Sequence, residues 1–114
     1  MRAQRRVREM ILEVFPELEA DIKTAVASEP GVDLHLSARA RELFPFAVEC
    51  RNRERLNLWT ALRDAERHAA TTGLTPLAIV SRNRLPEPYA CLPFSALLRL
   101  LALIARRERQ PPSP

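Results

Sequence analysis

The stretch FPFAVECRN, residues 44–52, is an almost continuous apolar run that contains one acidic residue, Glu49. Side chains along a strand point alternately to its two faces, so a run without alternation is typical of a central strand covered on both faces. A carboxylate on such a strand is unfavourable unless it is paired or bound to a metal ion. The stretch therefore predicts a central β-strand whose acid has a specific partner.

An alternating segment, VDLHLS at residues 32–37, precedes this strand. Its alternation of apolar and polar residues predicts a half-buried strand, and the Pro30-Gly31 pair before it is a strong breaker of regular structure. Asp33 lies near the start of this strand, and Glu49 lies near the end of the next one. If the two strands form a hairpin, the ends that carry the two acids come together.

Helical patterns surround these strands. Apolar spacing predicts helices at about residues 3–15, 53–72 and 95–107, and two short apolar runs predict strands at 76–81 and 89–92. Residues 17–27 are expected to form a turn or a short helix, and residues 38–42 a connector. The predicted order, α-β-β-α-β-β-α, is an α/β fold in which a mixed four-stranded sheet is flanked by helices.

The same patterns predict which side chains pack in the core. Trp59 shares its helical phase with Leu56 and Leu62, which favours core packing over a base-stacking role. His68 lies on the polar face of its helix and is predicted to be a surface residue. Apolar residues of the last helix are expected to pack on the sheet, namely Leu97, Leu98, Leu101 and Ile104.

The length of 114 residues fits one compact domain. Residues 1–109 are predicted to form that domain, and residues 110–114 a disordered Pro-rich tail. No segment has the length and apolarity of a membrane span, and no apolar signal-peptide core follows the basic N-terminus. Cys50 and Cys91 lack metal-ligand spacing, so we expect free thiols in the cytoplasm, with a disulfide between strands as the alternative.

The charge of the chain is basic, with a formal net charge of +4, and 17 of its 18 basic residues are arginine. The guanidinium group presents a planar fork of donors that suits phosphate geometry, which favours a nucleic-acid partner. A solvated surface that is rich in arginine explains the same composition equally well. Charge alone therefore does not establish the partner.

One set of residues has the chemistry of a metal site. Glu49 and Arg51 lie two positions apart on one strand and share a face, and Asp33 is predicted to lie on the adjacent strand. The two carboxylates and the backbone carbonyl of Cys50 offer the oxygen ligands that Mg²⁺ prefers. A metal ion held there lowers the pKa of a bound water and neutralises charge on a phosphate. Such spacings also arise by chance, with the charges serving only structure.

Several motifs together resemble a known family, the small phage and prophage PD-(D/E)XK proteins of the Holliday-junction-resolvase-like kind. They are LEVFPEL at residues 12–18, GVDLHLS at 31–37, FPFAVECRN at 44–52, ERLNLWTALRDAE at 54–66 and RNR at 82–84. The resemblance implies a restriction-endonuclease-like core and a Mg²⁺- or Mn²⁺-dependent DNA endonuclease that hydrolyses phosphodiester bonds. It also implies a homodimer, branched DNA as a candidate substrate, and the cytoplasm of a bacterium or phage-infected host cell.

The resemblance assigns roles to residues of this chain. Asp33, Glu49 and Arg51 become the catalytic residues, and Asp33, Glu49 and the Cys50 carbonyl the metal ligands. Supporting positions around this centre fall on Gln4, Glu13, Asn52, Asp64 and Glu66; Glu66 is expected to pair with Arg51 or Arg63, or to border the cleft. DNA contacts are expected from Arg5, Arg6, Arg53, Arg82 and Arg84.

This chain departs from the family pattern at three positions near the predicted site. Arg51 stands where the family has lysine, Val32 where it has glutamate, and Asp64 where it has glutamine. An arginine stabilises negative charge but cannot act as a base at neutral pH. The departures leave two other interpretations open: a catalytically impaired nucleic-acid-binding protein that retains the nuclease fold, and a protein-interaction subunit.

Overall fold

Four α-helices and five strands lie within the residues that the computed structural model describes, which are 2–26, 32–53, 55–82 and 87–109. The helices are α1 (Arg2–Val14), α2 (Ala38–Leu43), α3 (Leu58–Thr72) and α4 (Phe94–Arg109), with a 3-10 turn at Pro16–Leu18. The strands are β1 (Ile22–Thr24), β2 (Leu34–Leu36), β3 (Phe46–Asn52), β4 (Thr75–Ser81) and β5 (Tyr89–Cys91). The predicted Pro-rich tail, residues 110–114, lies outside the described residues.

The stretch at residues 44–52 contains β3, which lies at one edge of the mixed sheet of the described residues, so the expectation of a central strand is wrong. β3 pairs in parallel with β4 along its whole length, from Phe46 beside Thr75 to Asn52 beside Ser81. β5 pairs with the other edge of β4 in the antiparallel sense, which gives the order β3-β4-β5. Parallel neighbours need a crossover connection, and α3 supplies it while packing against both strands. The α/β class and the mixed sheet with flanking helices are confirmed.

The predicted four-stranded sheet is wrong in its strand count. Within the described residues the mixed sheet has three strands, and β1 and β2 form a separate antiparallel pair, with Ile22 opposite Leu36. β1 replaces part of the predicted turn or short helix, because three residues are too few to show a period of two. α2 replaces the predicted connector, and its first turn is capped by Ser37, whose hydroxyl accepts the N–H of Ala40 at 3.1 Å.

Asp33 lies beside β3 although β2 and β3 are not joined by a tight turn. The backbone N–H of Asp33 donates to the carbonyl of Val48 on β3 at 3.0 Å, and its carbonyl accepts the N–H of Ala25 at 2.9 Å. α2 lies between β2 and β3 in the chain. β2 is therefore paired with β1, and Asp33, which directly precedes β2, contacts β3 at Val48.

The largest fully buried side chains are Leu18, Ile22, Leu34 and Val48, and they lie where the β1–β2 pair meets α1 and β3. α3 buries a stripe of small residues instead, namely Ala61, Ala65 and Ala69, which recur every four positions. Small side chains let a helix approach a sheet closely. Trp59 lies two residues, or about 200° around the helix, from Ala61. The prediction that Trp59 packs in the core is wrong, since it is 76% exposed.

The last helix does not pack on the sheet as predicted. Leu98 and Leu101 are each 50% exposed, Ile104 is 56% exposed, and Ala96 in the first turn is buried. An apolar groove of about 300 Å³ lies between α1 and the β4–β5 edge, and it is lined by residues that include Val7, Ile11, Leu77, Ile79 and Tyr89. Within the described residues, α4 thus has an exposed apolar face, and α1 and the β4–β5 edge form an apolar groove. Among the described residues, no helix is long and apolar enough to cross a membrane.

Gly73 ends α3 as predicted, with φ of +73° in the left-handed region. A Cβ atom built at this glycine meets nothing within 4 Å, so a substitution there is opposed by backbone conformation alone.

We expect Gly73→Ala to lower the free energy of unfolding by about 1 kcal/mol, and Gly73→Asn by less, because asparagine tolerates this conformation better. Urea denaturation of the three proteins measures the difference. Equal losses for Ala and Asn would contradict this account.

Candidate functional site

Three oxygen atoms predicted to hold a metal ion surround one nitrogen of Arg51. Nη1 lies 2.5 Å from Oε1 of Glu49, 2.9 Å from the backbone carbonyl oxygen of Cys50 and 3.7 Å from Oδ2 of Asp33. The structure thus brings together Asp33, Glu49, Cys50 and Arg51, the four residues that the sequence placed at the centre of the site. Their catalytic and metal-binding roles stay predictions.

Asp33 is held in position by two hydrogen bonds. Its Oδ2 accepts the backbone N–H of Cys50 at 2.6 Å, and its Oδ1 accepts from Nε2 of Gln4 at 2.8 Å. Gln4 is only 8% exposed, so α1 contributes a buried amide to this site, in the supporting position that the sequence predicted. The amide oxygen of Gln4 is buried and has no hydrogen-bond partner among the described residues.

Arg51, on β3, connects this strand to α3. Its Nη1 faces Glu49 and the Cys50 carbonyl, while its Nη2 donates to Oδ2 of Asp64 at 2.8 Å. The other carboxylate oxygen of Asp64 accepts from Arg67, one turn further along α3. Both ends of the guanidinium fork are therefore bound, which fixes the orientation of a side chain that is otherwise long and flexible.

His68 belongs to the site, although the sequence predicted a surface residue. Its Nδ1 lies 3.0 Å from Oε2 of Glu49, and the His68 side chain is 22% exposed. Asp64 and His68 are four residues apart on α3, so they lie on the same face of the helix. The spacing of Asp64 and His68, together with the predicted buried Glu49, was the sequence signal that could have placed His68 in the site. Glu49, buried on β3, is thus bound on one oxygen by Arg51 and on the other by His68.

The charges at the centre shift the acidity of its groups. Burial, followed by the charge of Asp33, raises the pKa of Glu49 above its usual value, against the opposing effect of Arg51 and His68. Burial lowers the pKa of Arg51, but the hydrogen bonds and charges of Glu49, Asp64 and Asp33 outweigh it and leave that pKa raised. Arg51 is therefore a permanent cation here and cannot take up a proton as a base.

The remaining predicted residues that the structure describes are exposed. They include Glu13 and Glu66, and the acid on α3 that binds Arg51 is Asp64, which removes one of the three alternatives for Glu66. Asn52 is exposed at the end of β3. The predicted DNA-contacting residues Arg5, Arg6, Arg53 and Arg82 are all exposed, and Arg84 lies outside the described residues.

The donor atoms at the centre suit a hard divalent ion. Magnesium is commonly bound by one or two carboxylates together with carbonyl oxygens and water, and Asp33, Glu49 and the Cys50 carbonyl supply such a set. The described residues contain no group of three or more His, Cys, Asp and Glu side chains placed to hold a metal ion. The site therefore offers two acidic side chains and one backbone oxygen, and Arg51 stands among them.

Comparison with known proteins leaves the family open, since no family model, curated protein or solved structure matches this chain. The resemblance to PD-(D/E)XK nucleases stays a prediction.

Cys50 and Cys91 are free cysteines, as predicted. Burial first, and then the charges of Asp33 and Glu49, raise the pKa of the Cys50 thiol to about 12. Because the thiolate is the reactive form, we expect Cys50 to remain unmodified by iodoacetamide at pH 8.5 while the urea-unfolded chain is fully alkylated. Mass spectrometry of the peptides, on protein kept in a metal chelator, measures this. Alkylation of Cys50 at equal rates in both states would contradict its burial beside two acids.

Proposed function

We propose that this chain is a DNA endonuclease of the restriction-endonuclease-like kind that hydrolyses phosphodiester bonds with the help of Mg²⁺ or Mn²⁺. One observation carries the proposal: Asp33, Glu49 and the Cys50 carbonyl direct their oxygens at one position, and a cation stands there. Those three groups would hold the metal ion. When bound, the ion supplies charge neutralisation at the phosphate and a more acidic water.

The residues around that position have separate tasks. The Cys50 N–H and the Gln4 amide hold the Asp33 carboxylate in a fixed orientation. His68 holds the second oxygen of Glu49, which leaves the first oxygen directed to the cation. Such outer partners are what keep ligand oxygens oriented in metal sites. Arg51, as a permanent cation, can stabilise negative charge on a phosphate but cannot activate water as a base.

DNA as the partner is supported by exposed arginines and the net charge of +4. Arg5 and Arg6 are exposed on α1, the helix that also supplies Gln4, and Arg53 and Arg82 are exposed just after the carboxyl ends of β3 and β4. Guanidinium groups bind phosphate oxygens through paired hydrogen bonds. Branched DNA is the substrate class that the family resemblance suggests, and a cytoplasmic location fits it.

A second function is favoured by the contacts of Arg51. Its guanidinium is bound by Glu49, Asp64 and the Cys50 carbonyl, so the predicted metal position is filled by the protein itself. A chain that keeps this arrangement on DNA would bind nucleic acid without cleaving it. This is the catalytically impaired nucleic-acid-binding protein that the departures from the family pattern left open.

Cleavage assays separate the two functions. We expect the purified protein to nick supercoiled, single-stranded or four-way-junction DNA with Mg²⁺ or Mn²⁺, and Glu49→Ala to lower the rate at least about 100-fold, because metal polarisation is worth several kcal/mol. Glu42→Ala, which removes an exposed carboxylate of α2, serves as the control and should cleave normally. Salt-sensitive binding of these DNAs without cleavage would establish the second function instead. A protein that neither binds nor cleaves these DNAs would contradict both functions.

We also propose that the chain forms a homodimer in which α4 of each copy fills the apolar groove of the other. Leu97, Leu101 and Ile104 form one exposed stripe on α4, and the groove between α1 and the β4–β5 edge is apolar. Charge at the Glu9–Glu13 end of the groove favours a second copy of this chain as the occupant. Exposed Glu9 and Glu13 neighbour groove-lining Met10 and Val14 in α1, while exposed Arg106 and Arg107 follow the stripe of α4.

The dimer is tested by measuring molar mass in solution. We expect light scattering to give twice the 13.0 kDa of the chain, and Leu101→Glu to raise the dimer dissociation constant at least roughly tenfold, since a buried leucine contributes about 1.5–3 kcal/mol. Leu103→Glu is the matched control, because Leu103 is equally exposed but lies on the opposite side of α4. A monomeric wild type, or equal effects of both variants, would contradict the dimer.

A further inference from the structure

We infer that Arg51 is a built-in competitor of the divalent ion: its guanidinium and a metal ion occupy the same position, so that each excludes the other. This inference rests on the proposed metal site and concerns how that site is controlled. In the free protein the Arg51 head would close the site, and metal would enter only when Arg51 moves away from Glu49.

The distances give the first reason. Nη1 of Arg51 contacts Oε1 of Glu49 at 2.5 Å and the Cys50 carbonyl oxygen at 2.9 Å, and it faces Oδ2 of Asp33 at 3.7 Å. A magnesium ion binds oxygens at about 2.0–2.1 Å and keeps a shell of waters. An ion bound to Glu49 and the Cys50 carbonyl would overlap the nitrogen that now lies between them. The two cations cannot share these oxygens.

The charge balance gives the second reason. Asp33, Glu49 and Asp64 surround the guanidinium, so removal of Arg51 leaves three carboxylates with reduced compensation. Glu49 is only 4% exposed, and a buried carboxylate without a counter-charge is strongly unfavourable. A vacated site therefore attracts another cation, and its carboxylate and carbonyl oxygens favour a hard divalent one.

A third observation concerns Gln4. Its Nε2 donates to Asp33, but its buried Oε1 has no hydrogen-bond partner among the described residues. Buried polar atoms in native proteins nearly always have a partner, often an ordered water or an ion. Water in the shell of a divalent ion beside Asp33 is the kind of donor that this oxygen requires. An isolated ordered water would satisfy this oxygen equally well, so the distances and the charge balance carry the inference.

The two cations also differ in which structure they hold together. Arg51 binds Glu49 with one nitrogen and Asp64 with the other, so it connects β3 to α3. Asp64 is not among the three groups that would hold the metal ion. Exchange of one cation for the other would therefore break the contact between Arg51 and Asp64 and leave Asp64 paired with the exposed Arg67. The change is local, and it is observable at Arg51 itself.

The test measures Mn²⁺ binding without DNA, by titration calorimetry and by the electron paramagnetic resonance of free Mn²⁺. We expect Arg51→Met, which keeps an unbranched apolar stem and removes the charge, to bind Mn²⁺ roughly tenfold or more tightly than the wild type. The double variant Arg51→Met, Glu49→Gln should lose this gain. Circular dichroism shows whether each variant is folded.

Arg67→Met is the matched control. It removes the same charge from the same network, because Arg67 also binds Asp64, but it lies outside the oxygens of Asp33, Glu49 and Cys50. Occupancy by Arg51 predicts a gain for Arg51→Met alone. Equal gains for Arg67→Met and Arg51→Met overturn the inference, because general charge would then explain both. Wild-type affinity equal to that of Arg51→Met, or no Mn²⁺ binding by either protein, overturns it as well.

A measurement on the wild type keeps the inference testable if Arg51→Met does not fold. The side-chain ¹⁵N resonance of Arg51 is assigned by its absence from the spectrum of Arg51→Lys. Saturating Mg²⁺ should shift this resonance and speed its hydrogen exchange as the guanidinium leaves Glu49. An unchanged Arg51 resonance at saturation overturns the inference. Because DNA is absent, a protein that binds metal as inferred but never cleaves DNA would refute the proposed endonuclease and leave the competition intact.

Discussion

The buried carboxylate of Glu49 is the constraint on which the site depends. A negative charge that is 4% exposed on β3 must be matched by its surroundings, and side chains of both β3 and α3 contribute to the match. Arg51 from the same strand and His68 from α3 each take one oxygen of Glu49. Arg51 then requires Asp64, and Asp64 binds Arg67. One buried acid thus specifies how the polar face of α3 lies against β3, while the alanines of α3 allow the close approach that these contacts need.

The long elements were predictable from sequence, whereas two of the short ones, β1 and α2, were not. β3 and α3 extend over seven and fifteen residues, which is long enough for an apolar run or a helical stripe to be recognised. β1 has three residues and α2 has six, and neither length establishes a period. The prediction that Trp59 packs in the core failed for another reason. A helical stripe shows which residues share a face, but the buried stripe of α3 is composed of alanine, a residue that pattern analysis weights lightly.

The site shows a similar division. Asp33 and Glu49 were found because an acid within an apolar strand is chemically conspicuous, and their meeting follows from adjacent strands. The position of the Arg51 head could not be predicted, since a flexible side chain ends wherever its partners hold it, and Asp64 lies thirteen residues away on another element. His68 was missed because its role depends on the face of α3 that meets β3. In the sequence pattern the face that carries His68 is polar, and a polar face was predicted to be exposed to solvent.

Cys50 contributes to the centre through its backbone at both ends. Its N–H binds Asp33 and its carbonyl oxygen binds Arg51, while its half-buried thiol binds neither. Every residue type except proline offers the same N–H and carbonyl. The contacts with Asp33 and Arg51 therefore depend on the path of the backbone at this position and not on the side chain. A substitution at position 50 that fits beside the hydrophobic core therefore keeps both contacts, and proline is the one residue that would remove the donor for Asp33.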